Sequence, residues 1–533
     1  MDAAQSELGA GPAVGRARQM VLWLALSVLL ALAVAIPSAS SAAVLLFGGA
    51  ALALAIAQPA AICVLMVPAV AFGSLFERSV GPLRAGATDV LVGVIVLTWA
   101  LRALWPTLAA RKPLRVAAPR EWLQRLGARW RVHPTSTALA GALVAYVGVI
   151  LLSFVVASNR SLVAKEALKW SEVIVLFFYA SAVLRTPRQR ELLAWSMVAV
   201  GVLEALWGYV QWILATGSIG ADGSTLRVFG TFDQPNPYAA YLNLALPFAL
   251  ALAVFHRRVE ARWLAAGAAT LLLVAQGLAA SRGGLLALAA AVVVMVVAAL
   301  RIEKIALIVG TVAGIVIAGA WALGVLPQRI QYTALHALRL DGVSLNGPLN
   351  DANFSSVERL AHWVAGGRMF LAHPILGVGA GNYGIAYPRF AAPGWPAPLG
   401  HAHNYFINAA AETGLIGAAV FVALVVTMFW VAWRGVTSCR ALLDDGSDVT
   451  IPQPTAAPAF WVSARRSVEA TWRGAAPDCA LSLAVLGVIV AVTVQSLVDD
   501  VFVHAMELQI ALCLGLAASM VLRRAAARMP DDE

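Results

Sequence analysis

Charge is scarce in this chain. Only 12% of its 533 residues are Asp, Glu, Lys or Arg, roughly half the share in a soluble domain. With 61% hydrophobic residues and a mean hydropathy of +0.80, a water-soluble fold is excluded, because it has no way to hide so much apolar surface. Cysteine is scarce as well. Cys63, Cys439, Cys479 and Cys513 show no CxxC or other paired spacing, which reads against a disulfide framework and against a thiolate metal site. No internal repeat is visible. The net charge of +10 would suit nucleic acid, but the basic residues lie between apolar runs, so nucleic acid is not the expected partner.

What is there is a series of apolar runs, each of the length a helix needs to cross a hydrocarbon core of about 30 Å. They fall near 20–36, 42–57, 60–75, 89–105, 137–156, 170–184, 193–214, 240–255, 263–280, 284–300, 305–323, 406–433, 480–498 and 502–521. The fold class is therefore an all-α polytopic membrane protein with about 12–14 transmembrane helices. The spread reflects Ala57-Gln58-Pro59, which reads as a turn or as a kink. Met20–Ile36 follows Arg16 and Arg18 but reads as a span, since another follows almost at once.

Orientation follows from the Lys and Arg excess of alternate loops. With the tail 1–19 in the cytoplasm, the basic stretch from Arg111 to Arg131 falls inside, and so do Arg185, Arg188 and Arg190, then Arg257, Arg258 and Arg262, then Arg301 and Lys304. The loop 434–479 and the tail 522–533 are cytoplasmic too. One outside segment departs from the trend, with Arg160, Lys165 and Lys169 against Glu166; it reads as a short interfacial helix. The parity places outside the loop 215–240, the joint Ser281-Arg282-Gly283-Gly284 and the long stretch 324–405. That stretch is rich in aromatics and has near-helical apolar spacing from Ser355 to Ala372. A helix followed by a Gly-rich turn at 377–382 is expected, in an extracytoplasmic loop too long to be a mere connection.

In order along the chain stand Gly230-Thr231-Phe232-Asp233-Gln234-Pro235-Asn236-Pro237-Tyr238-Ala239, then Ser281-Arg282-Gly283-Gly284, then Ser355 and Ser356 with Arg359 and Trp363. His373-Pro374-Ile375-Leu376-Gly377-Val378-Gly379 comes next, and His401-Ala402-His403-Asn404 leads to Glu412-Thr413-Gly414-Leu415-Ile416-Gly417. Each motif alone is weak, but their order, spacing and common side resemble the O-antigen ligase and O-antigen polymerase superfamily over about 225–420. The resemblance implies a multi-pass enzyme of the bacterial cytoplasmic membrane facing the periplasm or cell exterior. Such a glycosyltransferase moves a glycan from a polyprenyl-diphosphate-linked donor to a hydroxyl of a glycolipid, glycan or protein acceptor, without a cofactor.

The residues support that chemistry independently. Negative charge grows on the leaving diphosphate, and a guanidinium stays protonated and bonds phosphate through a planar fork. Arg282 and Arg359 are the candidates, and the resemblance assigns their positions to the carrier phosphates. The plainer readings are snorkelling for Arg282 and a solvated helix face beside Glu358 for Arg359. His403 occupies the position that the resemblance gives to the base, and histidine suits proton removal near neutral pH. His401 stands two residues away, so in an extended segment its ring points to the other side. Asn236, His401 and Asn404 are secondary candidates for binding substrate. No metal is expected: HxH lacks a third ligand at a supporting spacing, and no HExxH or DxD pair lies outside. Asp499, Asp500 and His504 read either as contacts to the loop or as an interfacial turn. Ligase and polymerase are not separable on these residues. A flippase or transporter of a lipid-linked glycan and a non-catalytic scaffold are the alternatives of other classes.

Overall fold

A computed structural model describes residues 41–73, 78–80, 83–109, 134–220, 225–322, 343–350, 353–445 and 477–526. The span expected at 20–36, the basic stretch 111–131 and the central part of the loop 434–479 lie outside them. The chain divides into two units, up to Lys112 and from Pro113.

In the first unit, helices α1 (Ser41–Ala57) and α2 (Pro59–Ala71) precede a hairpin, β1 (Arg78–Val80) with β2 (Leu83–Ala85), and then α3 (Ala87–Ala109). The Ala57-Gln58-Pro59 step is a turn between two helices. Gln58 leaves the helical region with φ −141° and ψ 80°, and Pro59 starts α2 at its first turn, where its missing N–H costs nothing.

Among its described residues the regular structure of the second unit is helical apart from one two-residue ladder. It runs α4 (Pro134–Leu152), α5 (Arg160–Val183), α6 (Pro187–Ile213), β3 (Ser218–Ile219) paired with β4 (Leu226–Arg227), α7 (Pro235–Phe255), α8 (Val259–Leu278), α9 (Arg282–Leu300) and α10 (Glu303–Ala322). It continues through α11 (Phe354–Ala372), α12 (Tyr383–Phe390), α13 (Tyr405–Asp445), α14 (Pro477–Gln495) and α15 (Met506–Ala526). Among the described residues, seven helices are long and apolar enough to cross a membrane, and the protein is an all-α polytopic membrane protein. α7 and α14 are interior, with 78% and 89% of their apolar windows buried, as befits helices that are apolar all round. One polar pair joins them: Asn243 donates Nδ2 to Gln495 Oε1 at 3.1 Å, and also to Gly284 O of α9 at 2.9 Å.

Three expectations are corrected. Residues 160–169 are not a separate interfacial helix but the first turns of α5. The Asn159 side chain caps it by accepting Ser161 N at 3.0 Å, and no Gly or Pro interrupts 160–183. The helix expected to end at 433 continues to Asp445, since nothing in 434–445 stops it except a tolerated Gly435. Finally, Cys439 and Cys479 form a disulfide with Cα atoms 5.5 Å apart. Their 40-residue separation conceals that the end of α13 and the start of α14 meet. At that meeting point Arg190 is buried and forks onto Asp478, Nε to Oδ1 at 2.8 Å and Nη2 to Oδ2 at 2.7 Å.

The loop motifs interlock as backbone. Val378 N donates to Ala411 O at 3.0 Å, Gly379 N to Glu412 O at 2.9 Å and Leu415 N to Pro374 O at 2.8 Å, while Glu412 Oε1 accepts Tyr383 N at 3.0 Å. Gly414 interrupts α13 at φ 66° and ψ −163°, a region essentially closed to other residues. A Cβ there would stand 2.2 Å from Ile375 O. Gly414→Ala is thus expected to cost about 3 kcal/mol or more. A detergent-solubilised variant melting within about 2 °C of the parent would show that the buckle is not a fixed element.

Candidate active site

Four segments distant in sequence converge: the start of α9, the first turns of α11, the turn before α13, and residues 495–499 at the end of α14 and just after it. Ser281 is the N-cap of α9 and accepts Gly284 N at 3.3 Å, which puts Arg282 at the first helical position. A cation is unfavourable at that end of a helix, and an anion is favourable. The two glycines beside it do not open space for a ligand. A Cβ on Gly283 would meet Val498 Cγ2 at 2.8 Å, and one on Gly284 would meet Gln276 Nε2 at 2.7 Å and Ala239 Cβ at 2.8 Å. They are required by packing.

Arg282 and Arg359 meet at Ser355. Arg282 Nη2 donates to Ser355 Oγ at 3.1 Å, and Arg359 Nη1 donates to Ser355 O at 3.2 Å. Arg359 Nε also donates to Val498 O at 3.1 Å, and one residue later Asp499 Oδ1 lies 3.4 Å from His403 Nδ1. Both arginines and the histidine therefore belong to one arrangement, organised by 495–499. The same segment accepts Asn404 Nδ2 at Leu497 O (2.8 Å) and Tyr405 N at Ser496 O (2.8 Å). Arg359 is thereby not on a solvated helix face.

His403 has φ 50°, a left-handed conformation uncommon for non-glycine residues and concentrated at functional sites. This overturns the expectation that the two rings point apart. The chain turns instead of extending, His403 N donates to His401 Nδ1 at 3.1 Å, and the ring centroids are 4.4 Å apart. His403 Nε2 is buried and has no hydrogen-bond partner among the described residues. Trp363 Nε1 reaches His403 O at 3.5 Å. Burial alone would raise the Asp499 carboxyl, but the His403 hydrogen bond and the Arg359 charge outweigh it and hold Asp499 below the usual carboxylate range. Burial lowers the His401 ring.

The other candidates have framework contacts. Asn404 caps α13, its Oδ1 accepting Phe406 N at 3.0 Å and Ile407 N at 3.1 Å. Asn236 Oδ1 accepts Ser281 Oγ at 3.0 Å and Arg227 Nη2 at 3.1 Å, and so ties the start of α7 to the start of α9. Neither role was visible in the motifs. Sequence reasoning weighed His362 only as one of four histidines in the loop; it is buried and stacked on Tyr387 at 4.4 Å and meets His403 edge-on at 5.6 Å. Burial, with the His403 and His401 charges adding, pushes His362 down to about 4. Asp499 carried only a weak signal, an acidic pair at the end of an apolar run.

Among the described residues, His401, His403 and Asp499 are a group able to hold a metal ion, their ligand atoms all within 4.8 Å of one another. The third ligand that the HxH spacing lacked comes from 96 residues downstream.

No curated protein matches the chain. The stretch 267–422, which carries Arg282, Arg359 and His403, matches the family described as O-antigen ligase.

Proposed function

We propose that this protein is an O-antigen ligase-like membrane glycosyltransferase that transfers a glycan from a polyprenyl diphosphate carrier to an acceptor hydroxyl. The observation that carries the reading is the convergence of Arg282 and Arg359 on Ser355, with Arg359 and His403 both anchored on Val498-Asp499. Two guanidinium groups at a helix N-terminus suit a diphosphate. A histidine with one ring nitrogen on a carboxylate suits a general base beside it.

In the proposed reaction Asp499 holds the His403 proton on Nδ1 and leaves Nε2 as the acceptor. His403 Nε2 takes the proton of the acceptor hydroxyl as its oxygen attacks the anomeric carbon. The bond from that carbon to the phosphate oxygen breaks, and its electron pair remains on the diphosphate, where Arg282 and Arg359 neutralise it. Attack opposite the leaving group inverts the configuration. Asp499 then faces a charged imidazolium, which it stabilises. Fixed cations do the work that a divalent metal does in other phosphate-leaving reactions. Asn236 and Asn404 serve by placing Ser281 and His403, and His401 borders the acceptor side.

The alternation of basic loops supports an active site on the extracytoplasmic face of the bacterial cytoplasmic membrane.

The test is reconstitution of purified protein with a polyprenyl-diphosphate glycan and candidate acceptors, in excess chelator. Glycan transfer that persists in chelator is the expected outcome. One product of joined glycan and acceptor marks a ligase, whereas a ladder of lengths marks a polymerase. Transport of donor across vesicles without any new glycosidic bond would replace the enzyme reading by a flippase.

A further inference from the structure

The His401-His403 turn and the loop after α14 supply a donor set for which the proposed reaction has only partial use. Two imidazoles and one carboxylate are common ligands of zinc-class cations. The pair His403 Nδ1 and Asp499 Oδ1 at 3.4 Å matches the ligand spacing of a tetrahedral ion, roughly 3.3 Å for bonds of about 2.0–2.1 Å. All the ligand atoms lie within 4.8 Å of one another, a spread that ring rotations on the order of 1 Å close. Second contacts orient the ligands, as metal sites require. Asp499 Oδ1 accepts Asp500 N at 3.0 Å, and Trp363 and the His401-to-His403 backbone bond fix the turn. Charge on the two sides opposes: Asp499 and Asp500 attract a cation, and Arg359 repels it.

We propose that His401, His403 and Asp499 form a binding site for a zinc-class divalent cation, and that filling it switches glycan transfer off. This rests on the reading of His403 Nε2 as the base. A neutral imidazole has one proton and one lone pair on its ring nitrogens. If the ion takes Nε2, the base is occupied directly. If it takes Nδ1, in place of the contact to Asp499, the ring proton must move to Nε2, which then has no lone pair for the acceptor hydroxyl. Either coordination removes the base. Asp499 is drawn onto the ion at the same time and no longer stabilises an imidazolium.

The experiment uses the full-length protein in detergent, stripped of metal and titrated with zinc chloride by calorimetry, with transfer measured in parallel. One zinc per chain is expected, together with loss of transfer that chelator reverses. His401→Ala and Asp499→Asn are each expected to weaken zinc binding by at least about 10²-fold. The zinc concentration that halves each variant's own zinc-free rate should rise by a similar factor. Thermal melting close to the parent's establishes that both variants are folded. Absence of stoichiometric binding, or binding and inhibition that neither substitution alters, would overturn the site while leaving the transfer reading intact. Metal-stripped protein that is inactive until zinc is added would instead overturn both the off-switch and the metal-independent mechanism.

Discussion

Replacing His403 by alanine should lower turnover by about 10²–10⁴ while the lipid-diphosphate donor still binds. The ring has its Nδ1 on Asp499, its backbone carbonyl is near Trp363, and its Nε2 is buried with no hydrogen-bond partner among the described residues. Removal therefore deletes the proton acceptor and leaves the guanidinium pair on Ser355 intact. His401→Ala has a smaller expected effect, about tenfold or less, because it removes one hydrogen bond that holds the His403 backbone. Rates and donor affinities of the two variants, measured at equal membrane content, separate the roles. A His401 variant that is dead beside a working His403 variant would move the base to the other ring.

Alanine at Arg282 or Arg359 should reduce kcat/KM by about 10–100-fold each, the size of a lost charge-assisted hydrogen bond. Donor binding should weaken too, since the diphosphate is present in the ground state as well as in the transition state. Lysine is expected to restore only part of the loss, because an ammonium brings the charge without the fork. The two positions differ in a way that the structure makes testable. Arg359→Ala also frees Val498 O and so loosens the loop that carries Asp499, whereas Arg282 donates to the Ser355 hydroxyl on α11. Arg359→Ala should thus lower kcat more steeply than Arg282→Ala. Normal donor affinity in both variants would return the arginines to snorkelling or packing roles.

The sequence by itself determined the solvent in which this protein folds and marked the candidates for its reactive groups. Apolar runs of membrane length leave the backbone no alternative to helices, and the expected runs from 42 to 521 coincide with described helices to within a few residues at most ends. The Gly-rich turn and the α11 helix were legible for the same reason, because positive φ and 3.6-residue spacing are local properties. Arg282, Arg359 and His403 stand in motifs that single them out.

Tertiary structure alone decided what surrounds them. That both arginines meet on Ser355, that Asp499 faces His403, and that the two histidine rings share one side all depend on contacts across 73 to 139 residues or on a single backbone angle. Hydrophobic periodicity specifies which face of a helix is buried but not which loop it meets. For that reason the 495–499 segment, the Cys439–Cys479 bond and the third ligand of a metal-competent cluster appeared only once the helices were packed.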